Sequence, residues 1–550
     1  MKRAEQSDAR YAEIDEIKRD TIKVNMSDAT NKASGCPVIS DGQTMFVENE
    51  DSRTLIVSDS GSGKTRRLVL PTLVSMAKCS ENVVVHDPKG ELFRYTSKLF
   101  EKNGYKVVVF NYRDPFRGEM WNPLSLPAVL YKSGRKDEAI EMCMNFSISL
   151  YQPMEDADDP FWTCMSEQYF TGLFMLACEL FSEEKITLKN LFELHLQAKR
   201  KVTSSGKTAM QVFFDDESEG KESNKVKYAD IWKLLEGTVE APTETKASIL
   251  AVFSQALVRL ILNDSICDML SASNFNIESI CERKTIIYLC TRDETRVYDP
   301  IVSGMIHQFY TTLIEIADKK YNSVLPIRTN FVLEELGCMA KIFEFNSKIS
   351  ASRSRNIRMY LVVQSLQQLA LIYGKAESQV ILGNTDVQYY FHSSDIELLD
   401  YFSSKAGIAT TKYTKEKRPL LSRDDLLHLD KKKGQVLVFV KRQYPFITEL
   451  PDISQYEIEY LGVPIELKKR DRTHINMIDF YGYAKEIIEK EQQRMDEIIS
   501  NEQLDKRISE LEEELLIEDV PEEESSVEIQ LLENKIDRLI EKICLLEEET

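Results

Sequence analysis

Eight short runs of β-branched and aromatic residues, each continuous rather than alternating, constrain this chain more than any other feature. They are "TLIVSD", "NVVVHD", "KVVVFN", "KTIIYLCT", "TNFVLEE", "RMYLVVQ", "VQYYFHS" and "GQVLVFV". A strand with one wet face alternates apolar and polar residues, whereas a strand covered on both faces is apolar throughout. Helical patterns separate most of the runs, so the expected architecture is α/β: a mainly parallel sheet with helices on both faces. The series is interrupted once. Between "WNPLSLP" and "SICERKTIIYLC" the apolar spacing is helical only, as in "DEAIEMCMNFSISLY" and "ASILAVFSQALVRLIL". That stretch reads as an all-α insertion, with polar "TSSGKTAMQVFFDDESEGKESNK" as a loop inside it.

The first run leads into "SDSGSGKTRRLVLPTL" (58 to 73). A phosphate loop brings backbone N–H groups and a helix N-terminus onto the phosphates, with glycines for close approach, a lysine for β/γ charge and a hydroxyl for magnesium. The context it needs, a buried strand before and a helix after, is present. Ser58 stands where the motif has its first glycine. Even a forced left-handed backbone there costs only about 1–2 kcal/mol. Ser60, Gly61, Ser62, Gly63, Lys64 and Thr65 are therefore the expected nucleotide-binding residues. A second Gly-Lys-Thr, in "TSSGKTAM" around Lys207, follows no strand and has one glycine, so it reads as an ordinary loop.

Nucleotide hydrolysis also needs carboxylates delivered by another strand, one for the metal and one for the attacking water. "TNFVLEELG" offers Glu334 and Glu335 at a strand end. Glu334 is one methylene longer than the aspartate most such strands carry. "RMYLVVQS" ends in Gln364, suited to sensing the γ-phosphate or orienting water, and in "SASRSRNIR" either Arg353 or Arg355 could reach a neighbouring subunit's nucleotide. Arg353 is the preferred candidate.

The order and spacing of these segments resemble the coupling proteins of type IV secretion and conjugation, hexameric RecA-like DNA-transfer ATPases. The resemblance runs over roughly residues 50 to 450. It rests on "GSGKTRRLVLPTL", "VVHDPKGELF", "VVVFNYRDP", "WNPL", "DPFW", "FVLEELG", "SRSRNI", "VVQSLQQLALIYG" and "ILGNTDVQYYF". It implies a P-loop NTPase that binds ATP and Mg2+, with Lys64 and Thr65 on the nucleotide and metal and Glu334 as a metal residue partly through water. Glu335, Arg353 and Gln364 would be catalytic, and Lys89 of "DPKGE" a phosphate or intersubunit contact. Implied partners are single-stranded DNA, a relaxase, the type IV secretion channel ATPase and membrane components, and further copies in a homo-hexamer.

The expected division is an N-terminal segment (1–50), the nucleotide-binding domain in two parts (51–124 and 279–463), the all-α insertion (125–278) and a C-terminal tail (464–550). The tail is acidic. From Tyr481 onward the chain has 23 acidic and 8 basic residues, so most of the formal charge of -20 lies there and says little about the body. Leu504, Ile508, Leu511 and Leu515, then Ile529, Leu532, Ile536, Leu539, Ile543 and Leu546, follow coiled-coil spacing. The tail reads either as a solvated acidic helix or as a partner-binding or self-associating arm.

Ten scattered cysteines, without a C-x-x-C pair, fit a reducing cytoplasm rather than a disulfide framework or zinc site. The opening residues do not resemble a signal peptide, and the longest apolar run, "YFTGLFMLACEL", is interrupted by Glu179. The family's usual N-terminal membrane helices are thus missing from the reading. The expectation is a cytoplasmic protein, peripheral at the inner face of the membrane, with a separate membrane-anchoring partner. Basic clusters such as "TKYTKEKR" and "DKKKGQ" have no stacking motif beside them, so DNA as substrate rests on the resemblance. The alternative to a motor is a nucleotide-bound receptor that recruits protein substrates.

Overall fold

Runs that are apolar at every position need cover on both sides, and the fold supplies it. The computed structural model describes residues 8–59, 61–154, 159–216, 223–410 and 416–516. Its strands are β1 (Ile22–Asn25), β2 (Pro37–Ser40), β3 (Thr44–Val47), β4 (Arg53–Ser58), β5 (Asn82–Asp87), β6 (Lys106–Asn111) and β7 (Thr285–Cys290). They continue with β8 (Thr329–Leu333), β9 (Ile357–Val363), β10 (Val387–His392), β11 (Ile408–Thr410), β12 (Lys417–Pro419), β13 (Gln435–Val440) and β14 (Phe446–Glu449).

All eight apolar runs lie in one nine-stranded sheet, in the order β14-β13-β10-β4-β9-β8-β5-β7-β6. Every pairing from β10 to β6 is parallel, while β13 and β14 join antiparallel at one edge. Successive side chains alternate between two cores, Leu55 and Val57 in one and Ile56 in the other. The first core is continuous with the helical insertion, through Trp121, Phe146, Phe170 and Phe253. The second is closed by the helices Leu70–Cys79 and Glu91–Lys102 and by an N-terminal sheet of order β1-β3-β2. The N-terminal sheet, β14 and the hairpin β11–β12 were not expected from the sequence. Their strands are only three or four residues long, too short to carry a periodicity.

Between Ser125 and Met269 the described residues form helices, among them Lys136–Tyr151, Phe161–Leu180, Leu188–Ala198 and Thr243–Ile261, and the sole ladder contact is an isolated bridge from Lys201 to Thr208. The helices pack closely. At Gly172 a Cβ would lie 2.6 Å from Leu235 Cδ2, so glycine lets Phe161–Leu180 approach Ala229–Val239.

Helical structure after residue 463 begins later than its charge pattern suggests. Residues 464–479 have no regular structure and run across the body before the helix Phe480–Leu516 begins. Phe480, Ala484 and Ile487 are buried, with the Phe480 ring 5.6 Å from that of Phe213 on the insertion. The seam from Ile529 to Leu546 lies outside the described residues.

Candidate functional site

The phosphate loop sits at the C-terminal end of β4, in the middle of the sheet. Gly61 and Gly63 have φ of +73° and +89°, the left-handed region that an L side chain adopts only with strain. Ser58 is not among the left-handed residues. It is fully buried and its hydroxyl hydrogen-bonds to that of Ser62. The absent first glycine therefore leaves no strain behind. Ser60 lies outside the described residues.

The helix that follows opens with a π-helical turn, Thr65–Val69, in which Leu70 N–H bonds to Thr65 O. Pro71 supplies the cause. It has no N–H to give the carbonyl four residues back, and its ring crowds that carbonyl, so the turn upstream widens. Arg66 and Arg67 leave from this turn to brace it. Arg66 makes two hydrogen bonds to Asp452, at 2.8 and 2.6 Å, and a third to the Tyr95 hydroxyl. Arg67 donates to the carbonyls of Leu450 and Lys432.

Lys64 is buried, with Nζ donating to Ser58 O at 3.4 Å. Burial lowers its ammonium, and the carboxylates of Glu334 and Glu335 act in the opposite sense. Thr65 Oγ1 donates to Glu334 Oε1 at 3.3 Å, which joins the phosphate loop to the strand end two places away in the sheet. Glu334 is 3% exposed, and its carboxyl is pushed up to about 8 by burial and then by the charge of Asp87, against the pull of Lys64. A hydroxyl and one carboxylate is the sparse oxygen set that suits Mg2+, which keeps several waters and takes its other ligands from phosphate. Among the described residues no group of three or more His, Cys, Asp or Glu could hold a metal.

Glu335 has φ of +53° and begins a short turn, Leu336–Cys338. A left-handed glutamate is uncommon and costs about 1–2 kcal/mol, the kind of strain that gathers at functional sites. Its Oε1 is 2.7 Å from Lys89 Nζ. Burial works most strongly against the Lys89 charge, but the bond to Glu335 together with the charges of Glu335, Glu334 and Asp293 outweighs it and the ammonium is raised. Behind this pair, His86 Nδ1 donates to Glu334 O at 2.7 Å, a carbonyl being only an acceptor, and Asp87 accepts from the N–H groups of Glu91 and Phe93. Burial pushes the Asp87 carboxyl up to about 6, with those N–H groups opposing.

Gln364 follows the last residue of β9, whose Val363 pairs with Val57 of β4, so it stands between the phosphate loop and Glu334. Arg353 is elsewhere. It precedes β9, at the opposite edge of the sheet, about 20 Å from the phosphate loop by the rise of the seven strand residues. There it lines a cavity of about 1030 Å³ with Glu48, Asp386, Lys405, Lys441 and Arg442. Arg355 is paired with Asp318 at 3.4 Å.

Lys64, Thr65, Lys89, Glu334, Glu335 and Gln364 thus share one edge of the sheet, and Arg353 does not. Sequence reasoning missed the braces, Asp452 for Arg66 and His86 for Glu334. His86 stands one residue before "DPKGE" and could have been read with it, whereas Asp452 is 386 residues from Arg66 and carries no local signal.

No helix among the described residues is long and apolar enough to cross a membrane. The family described as type IV secretory system conjugative DNA transfer matches residues 2–416. Protein VirD4 of Rhizobium rhizogenes is 23% identical over 367 residues, 66% of this chain and 50% of the relative. Protein VirD4 of Agrobacterium fabrum (strain C58 / ATCC 33970) is 23% identical over 372 residues, 67% of this chain and 51% of the relative. The chain therefore spans about half the length of the curated relatives it matches. Among solved structures, the bacterial conjugative coupling protein TrwBdeltaN70 is similar with a TM-score of 0.58 and 14% identity, over 83% of this chain and 96% of that one. TrwB in complex with ADP and Mg2+ is similar with a TM-score of 0.56 and 13% identity, over 86% and 96%. At such identity these likenesses carry the fold, a mostly parallel sheet flanked by helices. The family match over three quarters of the sequence carries more: this chain belongs to the type IV secretory system conjugative DNA transfer family.

Proposed function

We propose that this chain is an ATP-driven coupling protein, which recruits relaxase-bound single-stranded DNA and delivers it to a type IV secretion channel. The observation that carries the reading is the closure of Thr65 onto Glu334, with Lys64 buried beneath and Glu335 beside Lys89. A phosphate loop and a strand-end carboxylate pair meet at one sheet edge. TrwB is known in complex with ADPNP and with ADP and Mg2+, which supports ATP and Mg2+ as the ligands here.

In this reading Ser60 to Thr65 and Lys89 hold the triphosphate, and Thr65 and Glu334 hold Mg2+, Glu334 partly through water. The metal would neutralise charge on the β- and γ-oxygens. Glu335 accepts the proton of the attacking water, and Gln364 orients that water. Arg353 reaches the nucleotide of the next subunit in a homo-hexamer. The insertion (125–278) and the tail (464–550) are the surfaces offered to relaxase and channel, including its ATPase and membrane components. A separate partner holds the nucleotide-binding domain (51–124 and 279–463) peripherally at the inner face of the membrane. Lys64→Ala should abolish ATP turnover and DNA transfer together; transfer at the wild-type level in that variant would sink the motor.

One observation favours a second reading, a nucleotide-bound receptor that recruits protein substrates. Lys89 occupies the carboxylate that would act on water. DNA-stimulated turnover separates the two. A motor shows stimulation and loses about a hundredfold or more in Glu335→Gln, while a receptor shows neither.

A further inference from the structure

The second residue of the phosphate loop is an aspartate, Asp59, so a loop read as an anion site carries a carboxylate of its own. Like charges at close range weaken binding, so this carboxylate needs a partner. His392 provides one. Its Nδ1 donates to Asp59 Oδ2 at 3.2 Å, and Asp59 N–H donates to His392 O at 2.9 Å, so one residue grips the loop by side chain and backbone. A β-bulge makes this possible. Tyr390 pairs with Val57, yet the next residue of β4, Ser58, pairs with His392, so Phe391 is the extra residue. Bulges next to functional sites commonly re-aim a side chain in this way.

The same turn reaches the other side of the site. Ser393 Oγ donates to Gln364 O at 3.4 Å, and Asp395 Oδ2 accepts from the N–H groups of Leu366 and Gln367 at 2.8 and 3.3 Å. Residues 392–395 therefore tie the start of the phosphate loop to Gln364 and to the helix start that follows it.

We infer that His392 is a positioning residue of the nucleotide site, holding the Asp59 carboxylate against β10 and away from the bound phosphates. This rests on the nucleotide-site reading above. The role is held by geometry and hydrogen bonding.

The test is a titration of the full chain with a fluorescent ATP analogue and Mg2+ at fixed salt. His392→Ala should weaken affinity about tenfold, because the freed carboxylate swings toward the phosphates, and the loss should shrink as salt screens it. Asp59→Asn in the His392→Ala background should recover affinity to within about threefold of wild type, since the repelling charge is gone. His392→Gln, whose side-chain N–H can still donate to the carboxylate, should stay near wild type. Unchanged affinity in His392→Ala, or a loss that Asp59→Asn does not repair, overturns the inference and leaves the nucleotide site standing. Failure of the wild-type chain to bind the analogue overturns both. A loss shared by all three variants, with a lowered melting temperature, assigns the turn to folding and also overturns it.

Discussion

Lys348 is 6% exposed, sits above the Tyr310 ring at 5.7 Å, and has Glu344 at 3.9 Å as an ionic neighbour. Burial pushes its ammonium down to about 8 from 10.5, and Glu344 opposes this only in part. Below about pH 8 the folded and unfolded chains are both charged there, and the folded one bears the desolvation penalty. Between about 8 and 10.5 the folded amine has lost its proton while the unfolded one still holds it, so stability rises with pH across that window. Lys348→Met should therefore raise stability at pH 7 by about 1–3 kcal/mol, an advantage that fades toward pH 10. Thermal melts of both proteins from pH 7 to 10 check it. Nothing in "FNSKIS" announces a buried lysine, since the environment is assembled by the helix Asp299–Lys320 from another part of the chain. Ser58 is the opposite case. It was legible as a tolerable substitution from the loop spacing alone, and as the buried last residue of β4 it carries no left-handed strain.

At the scale of elements, the apolar runs could be read as strands because burial on both faces leaves a continuous signature, whereas the unstructured stretch 464–479 leaves none. Its order is set by contacts made far away. Ile465 N–H donates to Ser97 Oγ at 3.0 Å, Arg470 pairs with the buried Asp268, Thr473 N–H donates to Asp268 Oδ2 at 2.7 Å, and Asn190 donates to Asn476 O at 2.9 Å. The segment thus crosses from a helix of the nucleotide-binding region to the insertion, over the chain that leaves the insertion near Asp268. Arg470 is the pin, stacked 5.2 Å from the Phe116 ring and donating from its backbone to Phe116 O. Asp268→Ala strands a largely buried guanidinium and should cost about 3–5 kcal/mol, while Asp268→Leu with Arg470→Met should cost much less, because no charge is left unpaired. Denaturant melts give the difference. Limited proteolysis should cut near residues 465–479 faster in the single variant only.

At the scale of the whole molecule, the placement of Arg353 decides whether one chain can be a complete engine. Strand-end residues at the two edges of a sheet cannot serve one nucleotide, and the span of β9 keeps Arg353 about 20 Å from Lys64. The sequence put both in the same family pattern, but spacing along a chain does not tell which edge of a sheet a residue occupies. If Arg353 acts, it acts on a neighbour, and in a closed ring each interface then joins one chain's phosphate loop to the next chain's arginine. This arrangement predicts complementation. Lys64→Ala has no working loop but an intact arginine, and Arg353→Ala has the reverse, so each alone should be inactive. Mixed in equal amounts they should regain ATP turnover, because roughly a quarter of random interfaces pair an intact loop with an intact arginine. No recovery in rings shown by mass measurement to contain both variants would place the arginine outside the reaction. Wild-type turnover in Arg353→Ala alone would do the same, and the cavity it lines with Asp386 and Lys405 would then have no catalytic role.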